Sequence, residues 1–234
     1  MNADSPWLSL IVPVLDEGPS LDQALHALAD WRDCGVELIV VDGGSGDASL
    51  ELARRWADIA LQAPRGRAAQ MNAGAAVARG QWLCFVHADT RLSPQALERL
   101  QASLPSSAVW GRFDVRIDGP HWMLAVVGFM MNWRSRLSGV ATGDQAMFVR
   151  RAVFEQIGGF ADIALMEDIA LSRKLKALAR PLCLRPPVST SARRWLRHGI
   201  WRTIWLMWRL RAAYFFGADP DALAVRYGYR PRSR

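Results

Sequence analysis

Val36-Glu37-Leu38-Ile39-Val40-Val41-Asp42-Gly43-Gly44-Ser45-Gly46-Asp47 is the stretch on which the fold turns. Residues 36–41 form an apolar run of strand length that stops abruptly in a polar, glycine-rich turn. Ser45 or Asp47 can cap the helix that follows, whose apolar positions are Leu50, Ala53 and Trp56. The same rhythm runs outward in both directions. Upstream, residues 8–15 are a continuous apolar run, as expected of a strand buried on both faces, and residues 19–31 carry Leu21, Ala24, Leu25 and Leu28 at helical spacing. Downstream come a short strand at 58–62 and an alanine-rich helix at 67–79 that Gly80 stops. A fourth strand at 82–86 leads to a helix at 94–104 opened by Ser93-Pro94. This alternation predicts an α/β domain with a mostly parallel central sheet and helices on both faces. Ligands of such sheets bind beyond the carboxyl ends of the strands, where Asp42 and Asp89 fall.

The second half is less regular. Residues 109–118 alternate like a strand, 121–137 form an apolar helix, and 146–149 are a short strand. Gly158-Gly159-Phe160 breaks the chain before Met166-Glu167-Asp168 and an amphipathic helix at 169–178. No repeat or linker interrupts the chain, so the expected organisation is one unit: a main domain over 1–190 and a helical extension over 191–234 packed on it.

Size and composition agree with one large domain: 234 residues, 51% hydrophobic and 22% charged. The net charge of +7 is carried almost entirely by arginine, since Lys174 and Lys176 are the only lysines. Arginine suits bidentate contact with phosphate or carboxylate, and equally an anionic membrane. Nucleic acid is not an expected partner, because no stacking platform or reader motif is present. Cys34, Cys84 and Cys183 are far apart and read as buried thiols in a reducing compartment. Residues 1–7 lack a basic region before an apolar stretch, so no signal peptide is expected and the expected location is cytoplasmic, with a peripheral place at the inner face of the membrane left open. No segment reaches the ~18–20 apolar residues that span a bilayer, and Arg197, Arg202, Arg209 and Arg211 interrupt the nearest C-terminal stretch.

The chemistry starts from an exclusion. The turn after the first strand, Val12-Pro13-Val14-Leu15-Asp16-Glu17-Gly18, lacks the G-x-G-x-x-G spacing of a dinucleotide site, and no Walker loop occurs. A phosphate ligand must therefore be held otherwise. Asp89, backed by Asp42 at the neighbouring strand end, could hold Mg²⁺ or Mn²⁺ bridging a diphosphate. The plainer reading is that either Asp caps the next helix.

Taken together the motifs resemble those of the family 2 glycosyltransferases, whose fold is GT-A. Leu10-Ile11-Val12-Pro13-Val14-Leu15-Asp16-Glu17 is similar to the family's opening strand and loop. Val40-Val41-Asp42-Gly43-Gly44-Ser45-Gly46-Asp47 resembles its nucleotide-binding motif, and His87-Ala88-Asp89 stands where the family carries Asp-x-Asp. Gly143-Asp144-Gln145 and Gly158-Gly159-Phe160 resemble segments on the acceptor side, and Met166-Glu167-Asp168 resembles the "ED" motif. Gly66-Arg67-Ala68-Ala69-Gln70-Met71-Asn72-Ala73-Gly74 and His87-Ala88-Asp89-Thr90 are shared with a small soluble subgroup, some members of which are associated with arsenosugar biosynthesis; that substrate is not carried over.

The resemblance implies inverting, metal-assisted transfer of a sugar from a nucleotide-diphosphate donor to an acceptor hydroxyl, on a small molecule or a lipid-linked carrier. Asp42 would contact the nucleoside, with Pro13 and Glu17 shaping its pocket, and Asp89 would hold the metal. Arg67, Gln70 and Asn72 lie where donor contacts are found, against the alternative that Arg67 is a solvated helix-start residue. Asp168 would be the catalytic base, with Glu167 beside it. Gly43 and His87 depart from the family pattern by replacing carboxylates, so a nucleoside contact is lost or supplied by backbone, and the metal site has one carboxylate fewer, although histidine can still ligate or hydrogen-bond. Arg194 and Trp195 keep part of a "QxxRW" motif and could meet the leaving diphosphate and stack on the acceptor; a membrane-facing or core position is the alternative.

Trp201, Trp205 and Trp208 make one helical stripe flanked by Arg202 and Arg209. Packing against the main domain or a second subunit is the favoured reading of that stripe, and membrane contact the other. Two competing functions remain: a nucleotidyltransferase, which lacks a lysine-containing glycine loop here, and a non-catalytic nucleotide- or membrane-binding module, whose support is Gly43 and His87.

Overall fold

Every residue of β1 (Leu8–Val14) is buried, because the strand lies in the middle of a sheet covered on both sides. Leu8, Leu10, Val12 and Val14 point into one apolar cluster, while Ile11 points into the other. The computed structural model describes residues 5–18, 20–104 and 107–229. Pro19, the first residue of the expected first helix, lies outside the described residues, as do residues 1–4 and the 230–234 end of the tail.

After β1 the chain runs α1 (Ser20–Ala29), β2 (Val36–Asp42), α2 (Ser49–Trp56), β3 (Ile59–Gln62), α3 (Arg67–Val77) and β4 (Trp82–Phe85). It continues through β5 (Thr90–Arg91), α4 (Pro94–Ala102), β6 (Trp110–Asp118), α5 (Met123–Ser138), β7 (Met147–Arg150) and α6 (Arg151–Gln156). The last elements are α7 (Glu167–Leu178), β8 (Leu182–Ser191), α8 (Arg193–His198), α9 (Ile200–Phe215) and α10 (Pro220–Tyr227).

The sheet order is β3-β2-β1-β4-β7-β6-β8-β5. The first four strands are parallel, as the alternating pattern predicts. Beyond β4 the sheet turns mixed: β7 is antiparallel to β4 and β6, and β8 runs parallel to β6. This order corrects one expectation. Asp42 and Asp89 do not follow neighbouring strands, because β1 separates β2 from β4.

β8 and α6 have no counterpart in the sequence reading. Pro186-Pro187 interrupts the β pattern, and prolines are tolerated in a strand only at an edge or a bulge. The structure provides such a bulge: Phe113 pairs with Leu184 and Val115 with Val188, so Asp114 alone faces residues 185–187. Asp114 also gathers Arg112, Arg136 and Arg185 around one carboxylate, with 2.6 Å to Arg136 and 2.9 Å to Arg185.

The C-terminal helices seat on the rest through two small clusters. Met123 and Leu124 of α5 meet Ala192 and Ile200, and Leu165 and Met166 meet Leu210, Leu223 and Ala224. The tryptophan stripe is not part of this packing. Trp201, Trp205 and Trp208 are 68%, 64% and 65% exposed, which overturns the expectation that they pack against the main domain. No helix among the described residues is long and apolar enough to cross a membrane.

Candidate active site

The loops at the carboxyl ends of β1 and β2 are tied to each other. The Asp16 N–H donates to Ser45 Oγ at 3.0 Å, Gly46 N–H to Asp16 Oδ1 at 2.8 Å, and Gly18 N–H to Asp47 Oδ2 at 2.9 Å. Asp42, fully buried, accepts from Gly44 N at 2.9 Å, Ser45 N at 3.1 Å, Gln62 Nε2 at 3.2 Å and the Ser45 hydroxyl. Burial pushes its pKa up, but the hydrogen bonds from Ser45, Gln62 and Gly44 outweigh this and hold it below the usual carboxylate range. Its role in this structure is to shape the turn.

Two cavities open above these loops. The first, about 720 Å³, is walled by Pro13, Glu17, Arg67, His87, Ala88 and Asp89, together with Gln70, the 162–164 loop and Tyr229. The second, about 1220 Å³, lies between α5 and α9 and contains Gly143, Asp144, Glu167, Asp168, Arg194 and Trp195. Glu17, Arg67, His87 and Asp89 line both. The two cavities therefore meet across one set of ionisable side chains.

Four expected contacts face elsewhere. Asp42 and Gly43 line neither cavity. A Cβ on residue 43 would lie 3.1 Å from the Gln70 amide, which donates to Val14 O and Val41 O at 2.8 Å each and pins β1 to β2. That amide occupies the space a second aspartate would need. Asn72 is likewise turned inward: it donates to Phe160 O at 2.9 Å and accepts from Phe160 N at 3.0 Å, clamping the Gly158-Gly159-Phe160 turn. Gln145 is buried and lines neither cavity, accepting from Thr142 N at 3.2 Å and donating to Asn132 Oδ1 at 3.3 Å.

Around the junction the charges are paired across elements. His87 Nδ1 stands 3.4 Å from Asp144 Oδ1, and the ring lies so close to Gly143 that a Cβ there would strike it. Burial works against the Asp144 charge, but His87, Arg67 and Arg194 keep its pKa lowered. Arg193 reaches Glu17 at 3.3 Å. Arg67 sits over the Tyr229 ring at 5.4 Å and Arg194 over Tyr227 at 3.6 Å, so α10 and the residues after it close the back of the site.

Glu167 and Asp168 open α7, and both line only the second cavity. Asp168 accepts from Gly143 N at 2.9 Å and Ile169 N at 2.7 Å. Burial raises both carboxyls, and repulsion from Asp168 adds to the effect on Glu167, which is pushed up to about 7. Met166, immediately before them, holds φ 71, and Ala146 and Asp16 are the other non-glycine residues with positive φ among the described residues. Backbone strain of this kind gathers at functional sites, and here all three positions lie in loops that build the site.

The Asp89 carboxylate has no hydrogen bond or ion pair among the described residues, although it faces both cavities. No group of three or more His, Cys, Asp or Glu among the described residues could hold an ion alone. One free carboxylate suits a hard cation that shares its remaining ligands with phosphate oxygens and water. Asp42 is not a candidate ligand, since its oxygens are engaged by the turn.

Sequence reading missed Tyr227, Tyr229, the 162–164 loop and Arg134. Arg134 lines the second cavity with Nε and Nη2 buried and without a hydrogen-bond partner among the described residues. No local pattern announces these residues, because long-range packing alone carries them to the site.

Comparison with known proteins bears on the family and the fold. The chain is 31% identical over 169 residues to a PGL/p-HBAD biosynthesis glycosyltransferase of Mycobacterium bovis, a match covering 67% of this chain and 64% of that relative. The chain thus spans under two thirds of its relative's length. Among solved structures, a mannosyltransferase of Pyrobaculum calidifontis, in complex with GDP-Man and Mn²⁺, superposes with a TM-score of 0.62 at 21% identity, covering 97% of this chain and 66% of that one. Staphylococcus aureus TarS, in complex with UDP-GlcNAc, gives 0.63 at 18% identity over 80% of this chain and 58% of that one. Both share the mixed α/β, GT-A-like fold seen here. Residues 9–158 match the family model for glycosyl transferase family 2, and the chain belongs to that family.

Proposed function

We propose that the protein transfers a hexosyl group from a nucleotide-diphosphate sugar to an acceptor hydroxyl, with inversion. The observation that carries this reading is the meeting of two cavities at Glu17, Arg67, His87 and Asp89, with Asp168 opening only into the second. The donor occupies the first cavity, its diphosphate near Arg67 and Asp89. The acceptor occupies the second, where Met130, Trp133, Trp201 and Met207 offer apolar walls to an amphiphilic molecule.

Asp168 takes the proton from the acceptor hydroxyl as that oxygen attacks the anomeric carbon. The bond from that carbon to the diphosphate oxygen breaks on the opposite face, and the nucleoside diphosphate leaves. A raised pKa suits this role, since a base matched to neutral pH accepts a proton readily. A divalent cation, Mg²⁺ or Mn²⁺, bound through Asp89 and the diphosphate would neutralise the leaving charge. Arg194 assists the same charge, and Trp195 offers the acceptor a stacking surface. Residues 1–190 and 191–234 act as one unit in this reading, because Tyr229 and Tyr227 complete the two cavities.

The test is transfer by wild type and Asp168→Asn on a panel of nucleotide sugars with amphiphilic acceptors. Wild-type turnover lost in the variant, with donor binding retained in both, supports the assignment. Donor binding without turnover in wild type on every pair would favour a non-catalytic binding module.

A further inference from the structure

The outer faces of α5 and α9 are bare. Along α5 and its N-cap Trp122, the side chains of Trp122, Val126, Phe129, Trp133 and Leu137 follow one another at steps of three and four, and all are exposed. On α9, Trp201, Trp205 and Trp208 do the same, and Phe215 continues the row. Side chains at such steps share one side of a helix. The inner sides of both helices are seated on the protein, so the bare rows are not the result of detached helices. Apolar patches of this extent are rare on a surface that faces only water.

The charges beside these rows have one sign. Residues 119–143 and 192–217, which contain α5 and α9, hold no Asp or Glu. Arg197, Arg202 and Arg209 are exposed, and none pairs with a carboxylate among the described residues. A second copy of the chain is a poor match. A two-fold interface would bring this face against itself, and it offers no carboxylate to meet its own arginines. Exposed indoles interleaved with guanidinium groups match the chemistry of a bilayer interface, where the rings lie among headgroups and the cations meet lipid phosphates.

We propose that the α5–α9 face docks on an anionic lipid bilayer. Val126, Met130, Trp133, Trp201 and Trp208 also rim the second cavity, so docking lays its mouth against the headgroups. An acceptor carried by lipid then reaches Asp168 without leaving the membrane. That consequence rests on the proposed transfer reaction; the docking does not.

The test is co-sedimentation of the full chain with phosphatidylcholine vesicles, with and without phosphatidylglycerol. Binding should be strong with the anionic lipid, at least tenfold weaker without it, and weakened by salt. A blue shift of tryptophan fluorescence should accompany it. Arg197→Glu/Arg202→Glu/Arg209→Glu and, separately, Trp201→Ser/Trp205→Ser/Trp208→Ser should each lower binding about tenfold or more. Nucleotide binding should stay intact in both, because none of these side chains lines the first cavity. Failure of wild type to bind anionic vesicles overturns the proposal, whether the face proves idle or serves as a dimer interface detectable by light scattering. Loss of transfer with vesicle binding retained would instead count against the proposed reaction and leave the docking standing.

Discussion

The half of the molecule that holds the first cavity and the half that holds the second are built on different principles. Around β1 to β4 the polar groups are engaged by their own backbone: Asp42 by the turn that follows it, Gln70 by two strand ends, Asn72 by Phe160. Around α5 and α9 apolar side chains face outward, and Arg134 has buried nitrogens without a hydrogen-bond partner among the described residues. The first half is a finished frame for a polar ligand. The second is unfinished until something amphiphilic covers it. A motif residue in a frame is as often a strut as a ligand contact, and only its hydrogen bonds tell which.

The sharpest way to break this comparison is at the base. Asp168→Asn should lower kcat by ~10²–10⁴ while donor affinity holds, because Asp168 faces only the second cavity. Loss of donor binding in the same variant, measured by calorimetry, would place the residue in the frame instead. Next in size is Gly143→Ala, whose Cβ would strike the His87 ring where the two halves touch. It should cost about 1–3 kcal/mol in chemical denaturation and also reduce turnover.

The buried acid pair sharpens the contrast through pH. Folded protein retains the Glu167 proton up to about 7, whereas the unfolded chain releases it near 4.5, so the folded state binds more protons between those values. Stability should therefore fall as pH rises through that window and level off above it. Turnover should rise over the same window, since the pair must lose a proton before Asp168 can accept one. Glu167→Gln should flatten the stability profile and shift the acid limb of kcat to lower pH. An unchanged limb would show that another group sets it. The smallest expected effect belongs to the frame: Asn72→Ala should cost about 1–3 kcal/mol of stability by orphaning Phe160 backbone groups, with donor affinity unchanged.

What could be read in advance follows the same division. Apart from the two-residue β5, the strands and helices through residue 104 were legible because each carries its own period and its own stop, as in the run ending at Asp42. The acid pair at the head of α7 and Asp89 beyond β4 were legible as motif positions. Gly43 was legible only as a departure, and its reason, the Gln70 amide beside it, sits on a different element. β8 escaped because Pro186-Pro187 mimics a break, and the bulge opposite Asp114 that accommodates it depends on β6. Tyr227 and Tyr229 escaped because stacking on Arg194 and Arg67 is a property of the folded chain, far apart in sequence. The tryptophan stripe was visible, but its direction depends on what α9 packs against.

The central claim is that donor and base functions are divided between the two cavities at Asp89 and Asp168. The most direct measurement is a thermal shift for wild type, Asp89→Asn and Asp168→Asn with nucleoside diphosphates, with and without Mn²⁺. A nucleotide at a hundred times its Kd should add about 2.7 kcal/mol of stability. The expected result is a metal-dependent shift in wild type, kept in Asp168→Asn and lost in Asp89→Asn. Equal loss in both variants, or a shift that Asp89→Asn leaves intact, would contradict the division.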